Sequence, residues 1–492
     1  MGATVSLPAW LAGVLVLLAA ACVLDRLMVP GVRWFIRQRT LRVLDEVNRR
    51  LPIEIQPFRL ARRQVLVDRL MSDPHVVRAT GEHARTTGAP LDVAVARAEK
   101  YAREIVPAFN AYLYFRLGYA VARRVARALY RVRMGWSDEA GLAAIEKGST
   151  VVFVMNHRSN MDYVLVAYLA AGRAALSYAV GEWARVWPLQ QLIRSMGAYF
   201  IRRRDNDDLY RRVLERYVAM ATDAGVTQAV YPEGGLSRDG TLRPPKLGLL
   251  DYMIRGFDPA GARDLVFVPV GINYDRTLED RTLLLDAQPG RRRSGALAAL
   301  GRTMTFIGKN LALMARSRWH RFGYACVNFG TPVSMRAWCA AHSTDFRALD
   351  KEQRHDRVAA LGADLMAAVG HVIPVLPVSL VATVFVRDGE ARSELEVKAR
   401  VAELVERAEA HGGRVYVPRR DMDYAVTVGL RMLTLRRMVL ETDGLYAANP
   451  EEGALLRYYA NSIAHLIPAD EPPAAIPFTA VAAPAAAVSA PA

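Results

Sequence analysis

Between about Gly141 and Pro332 the chain alternates short, valine-rich apolar runs with helical stretches: VVFVM, ALSYAV, AYFI, QAVYP, LVFVPVGI and YACVNFG. Runs this short, apolar and β-branched are buried strands. Strands that alternate with helices specify an α/β domain around a mostly parallel sheet. In such a sheet, chemistry collects in the loops at the carboxyl ends of strands. The first run leads directly into NHRSNMD, Asn156 to Asp162. Ser159 and Asn160 are good helix N-caps, so a helix is expected to begin there. His157 then stands in the turn after a strand, and Asp162 in the first turn of the next helix. A histidine with a carboxylate in reach is suited to act as an oriented general base. A lone histidine near an aspartate is more often structural. This pair is set apart by its place between strand and helix and by the compactness of the run. The chain has no GxSxG, and no serine or cysteine nucleophile is built around the pair, so the base is expected to act on a substrate hydroxyl directly.

The flanks differ in texture. Val5 to Leu24 is almost unbroken apolar sequence, about the 20 residues a helix needs to cross a bilayer. Arg26, Arg33, Arg37, Arg39 and Arg42 follow it, and no charged side chain precedes it. The positive-inside rule then puts the downstream bulk in the cytoplasm. A cleaved signal peptide is the alternative, and the missing basic n-region argues against it. The expected organisation is a transmembrane anchor at 1–30, a helical N-terminal region at 31–140 and an α/β domain at 141–340. A helical C-terminal region at 341–468 and a disordered Ala/Pro tail at 469–492 complete it. The formal net charge of +16 over 492 residues suggests an anionic partner. The arginines of the helical stretch Arg123 to Arg127 form a solvated face or a contact with anionic membrane lipid. The basic amphipathic insertion Arg291 to Arg321 reads as a surface helix or a membrane-surface one. No nucleic-acid module is recognisable, so a nucleic-acid partner is not expected. Cys22, Cys326 and Cys339 have neither zinc nor redox spacing, which fits a reduced, cytosol-facing body with no metal.

Three further runs carry candidate residues. GAYFIRRRD, Gly197 to Asp205, ends a strand in Arg202, Arg203 and Arg204. Arginine suits forked binding of phosphate, although spacing alone favours a solvated charge run. VYPEGGLSRDGTLRPPKLG, Val230 to Gly248, ends a strand in Pro232, Glu233 and two glycines, followed by Arg238 and Lys246. The glycines allow close backbone approach to an anion, or form an ordinary turn. VPVGINYDR, Val268 to Arg276, reads as a buried strand, with plain core the strong competing reading.

In this order and spacing the four runs resemble the four blocks of the glycerophospholipid acyltransferases. His157 and Asp162 match the histidine–four residues–aspartate pattern, followed by GAYFIRR, PEGGLSR and VPVGINY. EGG rather than EGT, the FIRR run and HRSNMDY look most like the membrane-bound glycerol-3-phosphate acyltransferases of bacteria and their dihydroxyacetone-phosphate relatives. AEKYAREIV, VNFGTPV and LLRYYANSIAHL extend the likeness to roughly residues 65 to 468. One departure is Leu236, where that branch often has arginine. The resemblance implies direct acyl transfer from acyl-CoA or acyl carrier protein to the sn-1 hydroxyl of glycerol 3-phosphate, giving lysophosphatidic acid. His157 would be the base and Asp162 its orienter. Arg202, Arg203, Arg238 and Lys246 are candidates to hold the acceptor phosphate. Glu233, Gly234 and Gly235 would shape the acceptor pocket, with Pro269 at its wall. Neither metal nor bound cofactor is implied. The expected location is the inner (cytoplasmic) membrane, with the catalytic domain facing the cytoplasm. The alternatives are an acyltransferase for dihydroxyacetone phosphate or lysophosphatidate, and a catalytically inactive membrane-tethered binding protein.

Overall fold

The computed structural model describes residues 56–468 apart from 57, 59–60, 62, 111–112, 171–175, 182–188, 203–206 and 288–321. The expected anchor at 1–30, the insertion Arg291 to Arg321, Arg203 and the tail at 469–492 lie outside the described residues. Among the described residues no helix is long and apolar enough to cross a membrane.

Helices α1 (Arg63–Met71), α2 (Pro74–Thr87) and α3 (Leu91–Ile105) lead through a π-helical turn (Leu113–Gly118) into α4 (Tyr119–Leu129). There follow β1 (Arg131–Ser137), α5 (Glu139–Ala143), β2 (Thr150–Met155), α6 (Met161–Ala170), β3 (Ser177–Gly181), α7 (Leu189–Ser195) and β4 (Tyr199–Ile201). Next come α8 (Asp208–Asp223), β5 (Gln228–Val230), α9 (Gly248–Ile254), β6 (Leu265–Tyr274), α10 (Asp280–Ala287), β7 (Tyr324–Phe329) and β8 (Val333–Ser334). The C-terminal part holds α11 (Met335–Ala341), α12 (Lys351–His371), β9 (Pro374–Val375), α13 (Pro377–Asp388), β10 (Arg392–Ser393), α14 (Glu394–Ala410) and β11 (Arg414–Val415). It closes with α15 (Met422–Leu435), β12 (Val439–Thr442), β13 (Leu445–Ala448) and α16 (Gly453–Ala460).

The described strands include an eight-stranded sheet in the order β1-β7-β6-β2-β5-β3-β4, with β8 also paired to β6. The pairs β1/β7, β6/β2, β2/β5, β5/β3 and β3/β4 are parallel. Strand β6 pairs antiparallel with β7 and β8. The sheet is thus mostly parallel, as the alternation of strand and helix predicts. All six apolar runs form strands. The helical pattern expected up to about Asp138 is interrupted by β1, RVRMGWS, an edge strand that is largely exposed. Its exposed arginines sit where a sheet edge needs charge to discourage further pairing, and they weaken the apolar signal by which a strand is read. Short strands β9 to β13 likewise punctuate the C-terminal helices.

Strand β2 is buried along its whole length. Its alternation divides two cores: Val151, Phe153 and Met155 face one with Val268, Val270 and Ile272 of β6. Val152 and Val154 face the other, with α8, α9, α12 and the N-terminal helices. A central strand buried on both faces can offer chemistry only at its ends, and its carboxyl end runs into Asn156-His157, which are themselves buried. Pro269 occupies the point of β6 where its neighbour changes from β8, paired up to Phe267, to β7, paired from Val270. A proline has no N–H to donate, so it is tolerated where the ladder is interrupted.

A third core gathers α13, α14, α15 and α16. Helix α13 is buried throughout from Pro377 to Phe385. This C-terminal region is joined to the loops of the sheet by polar contacts. Asn273 donates to the Pro374 carbonyl at 2.9 Å, and Asn461 donates to the Asp239 carbonyl at 2.8 Å. Arg436 pairs with Asp280 at 2.7 Å, and the Thr277 N–H donates to the Tyr459 hydroxyl at 3.1 Å. Gly240, in the loop after β5, has φ +89°, and a Cβ there would collide with the Tyr458 carbonyl of α16. A side chain at this position meets both a steric and a conformational obstacle. Gly240→Ala is expected to cost at least about 2 kcal/mol, read as a lower thermal unfolding midpoint. An unchanged midpoint would mean that the loop and α16 are not in this contact.

Candidate active site

The site grows from the carboxyl end of β2. The Asn156 side chain donates to the Ile272 carbonyl at 2.9 Å and accepts from its N–H at 2.8 Å. A side chain thus extends the β2/β6 ladder by one step and pins the start of the loop to β6. The loop then turns into α6, whose first N–H, from Met161, donates to Ser159 Oγ at 3.1 Å. Asp162 lies in the first turn of α6, as its spacing predicts.

His157 and Asp162 are buried, 2% and 0% exposed. The Nδ1 of His157 lies 2.9 Å from Asp162 Oδ2. The same oxygen accepts from the N–H groups of Arg158 at 2.7 Å and Ser159 at 3.0 Å. The other oxygen accepts from the Tyr274 hydroxyl at 2.6 Å. With a carboxylate on Nδ1, the neutral imidazole carries its proton there and leaves Nε2 as the basic nitrogen. Among the described residues Nε2 has no protein partner. The His157 ring stacks on Tyr231 at 4.2 Å between centroids and meets Tyr163 edge-on at 5.4 Å. Both tyrosines line a cavity of about 220 Å³, together with Ile201, Gly234, Lys246 and Leu249.

Glu233 supports the loop from the other side. Its carboxyl accepts from the N–H of His157 at 2.7 Å and of Arg243 at 3.2 Å. The Ser237 N–H in turn donates to the His157 carbonyl at 2.9 Å. Both backbone groups of His157 are therefore held by the third run. Gly234 has φ +67°, and Lys246 packs where its Cβ would be. Its N–H donates to the Tyr231 carbonyl at 2.9 Å, so it closes the turn and is not available to an anion. Gly235 follows, partly exposed.

The structure thus brings His157, Asp162, Glu233, Gly234 and Lys246 together. Arg202 is held elsewhere, in a forked pair with Glu104 of α3 at 2.8 and 2.6 Å. It also lies over the rings of Tyr101 and Tyr210. Its guanidinium ties the edge strand to the N-terminal helices. Arg238 is partly exposed in the loop after β5. Pro269 lies inside β6 opposite Val154, its carbonyl bonded to the Gly330 N–H at 2.7 Å. That is a core position rather than the wall of the cavity. Leu236 packs against the core of the C-terminal helices, which gives an apolar residue its reason in this position.

Several functional neighbours were not picked out from the sequence. Tyr274 ends the fourth run and reaches Asp162 across the sheet. Glu279 accepts from Ser159 Oγ at 2.7 Å and from the Asn160 side chain at 3.1 Å, and burial pushes its carboxyl up to about 7. Arg158 is buried, donates to the Gly240 carbonyl and lies 5.6 Å from the Tyr458 ring centre. Each partner is more than eighty positions away, and its only local signal was proximity to a quoted run.

A buried histidine oriented by a carboxylate, with Nε2 unpartnered among the described residues, can act as a general base on a substrate hydroxyl. The Acyltransferase family model matches residues 139–273, and the model of the glycerol-3-phosphate acyltransferase C-terminal region matches 310–470. The chain is 26% identical to the "Glycerol-3-phosphate acyltransferase" of Alteromonas mediterranea over 426 residues, 83% of this chain and 50% of that one. It is likewise 26% identical to that of Ectopseudomonas mendocina over 452 residues, 87% and 52%. Over these stretches the chain is similar to the glycerol-3-phosphate acyltransferases. The chain spans about half the length of the curated relatives it matches. Among solved structures, the 1-acyl-sn-glycerophosphate (LPA) acyltransferase PlsC from Thermotoga maritima aligns with 51% of this chain and 78% of that one, at 18% identity and a TM-score of 0.30.

Burial pushes the Glu233 carboxyl from its ordinary 4.5 up to about 7, against the pull of the N–H donors and nearby guanidiniums. A carboxyl raised in this way holds its proton more tightly in the folded chain. Its contribution to stability is fully present below about pH 4.5 and is lost as the pH rises through about 7. Asp275 and Glu279, also raised by burial to about 7, act with the same sign. The unfolding midpoint should therefore fall between about pH 5 and 7, and Glu233→Gln should flatten part of that slope. An identical slope in the variant would remove Glu233 from the titration.

Proposed function

We propose that the chain transfers a fatty acyl group from acyl-CoA or acyl carrier protein to the sn-1 hydroxyl of glycerol 3-phosphate, the step that supplies lysophosphatidic acid for phospholipid biosynthesis. The observation that carries this reading is the His157–Asp162 pair with its unpartnered Nε2 beside the cavity. The names of the relatives support the choice of acceptor.

In this reaction His157 Nε2 takes the proton of the acceptor hydroxyl while Asp162 stabilises the imidazolium that forms. The alkoxide oxygen attacks the thioester carbonyl carbon, and the tetrahedral intermediate collapses with cleavage of the carbon–sulfur bond. The leaving thiolate takes the proton back from Nε2, so the enzyme returns unchanged. Lys246, exposed and without a carboxylate partner among the described residues, is the cation best set to meet the acceptor or donor phosphate. Arg238 is the second. The apolar lining of the cavity, with Val180, Ile201, Val230 and Leu249, suits the first carbons of a fatty acyl chain.

The reading places the chain at the inner membrane with this domain in the cytoplasm. The apolar run from Val5 to Leu24 supports an anchor there. Anionic membrane lipid as a partner is supported by the outer face of α4, where Arg123, Arg124 and Arg127 are exposed beside Val121 and Val125.

The test is acyl transfer by the full chain in lipid or detergent, with glycerol 3-phosphate, dihydroxyacetone phosphate and lysophosphatidate offered against both thioester donors. Glycerol 3-phosphate is expected to be the preferred acceptor. His157→Ala should lower the rate by about 10²–10⁴-fold. Turnover of lysophosphatidate alone would overturn the acceptor, and full activity of the variant would overturn the mechanism.

A further inference from the structure

Strand β6 ends in Tyr274, whose ring is buried beside that of Tyr130, 5.2 Å away between centroids. Its hydroxyl donates to Asp162 Oδ1 at 2.6 Å. Packing alone would be met by phenylalanine. A buried hydroxyl is kept where it has a partner, since leaving it unpaired is costly. Burial, and after it the Asp162 carboxylate, push this hydroxyl well above the usual tyrosine range, so it stays a donor at every working pH. Strand β6 is paired with both β2 and β7. The position of the donor is therefore set by the sheet and not by the loop that carries His157.

The two Asp162 oxygens have different neighbours. Oδ2 meets His157 Nδ1 and the N–H groups of Arg158 and Ser159, whereas Oδ1 meets Tyr274. Among the described residues Tyr274 is thus the one side chain besides His157 that bonds to this carboxylate. A carboxylate beside an imidazole favours the imidazolium. Buried and without a competing donor, it would hold the proton on His157 and leave no free base. A donor on the carboxylate draws off part of that charge. The charged and titratable groups around the pair are Arg158 and Glu233 of the loops, Glu279 before α10, Tyr163 and Tyr231 against the imidazole ring, and Lys246 at the cavity. None of these bonds to Oδ1.

We propose that the Tyr274 hydroxyl sets the basicity of His157 by taking up part of the Asp162 charge, and so lowers the pH at which the imidazole becomes free to take a proton. Tyr274 acts through Asp162 and is a positioning residue, not a catalytic one. No proton crosses the Tyr274–Asp162 bond. The tyrosine keeps its hydrogen, and the proton of the acceptor hydroxyl goes to Nε2 and from there to the leaving thiolate. The inference rests on the acyl-transfer reading and adds to it the group that adjusts the base.

The experiment is the pH profile of kcat/KM for acyl transfer to glycerol 3-phosphate in the full chain, in Tyr274→Phe and in Tyr130→Phe. The Tyr130 hydroxyl donates to the Arg276 carbonyl at 2.9 Å, so its loss disturbs the same core without touching Asp162. In Tyr274→Phe the acidic limb should move to higher pH by about half a pH unit to one. The loss of kcat/KM should then be about three- to tenfold below the limb and much smaller above it. Tyr130→Phe should leave the limb in place. Glu233 and Glu279, raised by burial to about 7, titrate in every chain and cancel in the comparison. A 3-fluorotyrosine at position 274, a stronger donor, should move the limb the opposite way, which reads the effect even where Tyr274→Phe does not fold. A limb that stays put in Tyr274→Phe, a loss equal at every pH, or the same shift in Tyr130→Phe would overturn the inference while leaving acyl transfer intact. If no thioester is consumed, an NMR titration of the His157 ring, assigned by its absence in His157→Ala, separates the two ideas. A midpoint that rises in Tyr274→Phe keeps the role of Tyr274 and rejects the acyl-transfer reading, and an unmoved midpoint rejects the role.

Discussion

The Asp162 carboxylate is the point on which the site depends. It accepts four hydrogen bonds, from the His157 ring, two successive backbone N–H groups and the Tyr274 hydroxyl. Each of these donors is buried, and leaving one unpaired would cost about 1–3 kcal/mol. One side chain therefore sets the tautomer of His157, the path of the loop and the start of α6 together. It can do so because β2 and β6 are neighbours in parallel register, which brings the end of one strand to Asn156 and the end of the other to Tyr274.

Further support for the His157 loop comes from regions far along the chain. The loop after β5 holds both backbone groups of His157 and is itself pressed against α16 at Gly240. Arg158, between His157 and Asp162, reaches the same loop and the Tyr458 ring. Asp280, just past Glu279, is tied to Arg436 and Tyr459. A buried pair of this kind contributes little net stability after desolvation, and its better-attested value is to fix one arrangement. The C-terminal helices are thus part of the wall that positions His157. Both matched regions, 139–273 and 310–470, contribute residues to that wall.

The strands of the sheet and the pairing of His157 with Asp162 were legible in the sequence, because burial writes valine-rich runs and a helix cap has a short-range signature. The mostly parallel sheet followed from the alternation. Strand β1 was not legible, since an exposed edge strand carries arginine where a buried one carries valine. Arg202 was read as a phosphate ligand because a charge run looks the same whether its partner is a substrate or Glu104, nearly a hundred residues earlier. Pro269 was placed at the pocket for its position in a block, whereas its role is set by where β6 changes neighbours. Tyr274, Glu279 and Arg158 act across the fold, and no local pattern announces that. Leu236, which stood out as a departure, is explained by the apolar core it meets.

The central claim is that Asp162 makes His157 a preorganised base. Asp162→Asn keeps the size of the side chain but puts an amide donor among donors. The most direct measurement is the single-turnover rate of acyl transfer in this variant, taken alongside its unfolding midpoint and its affinity for glycerol 3-phosphate. The account predicts a rate lower by about 10²-fold or more in a chain that still folds and still binds the acceptor. A folded, acceptor-binding Asp162→Asn chain that transfers acyl groups at the full rate would contradict it.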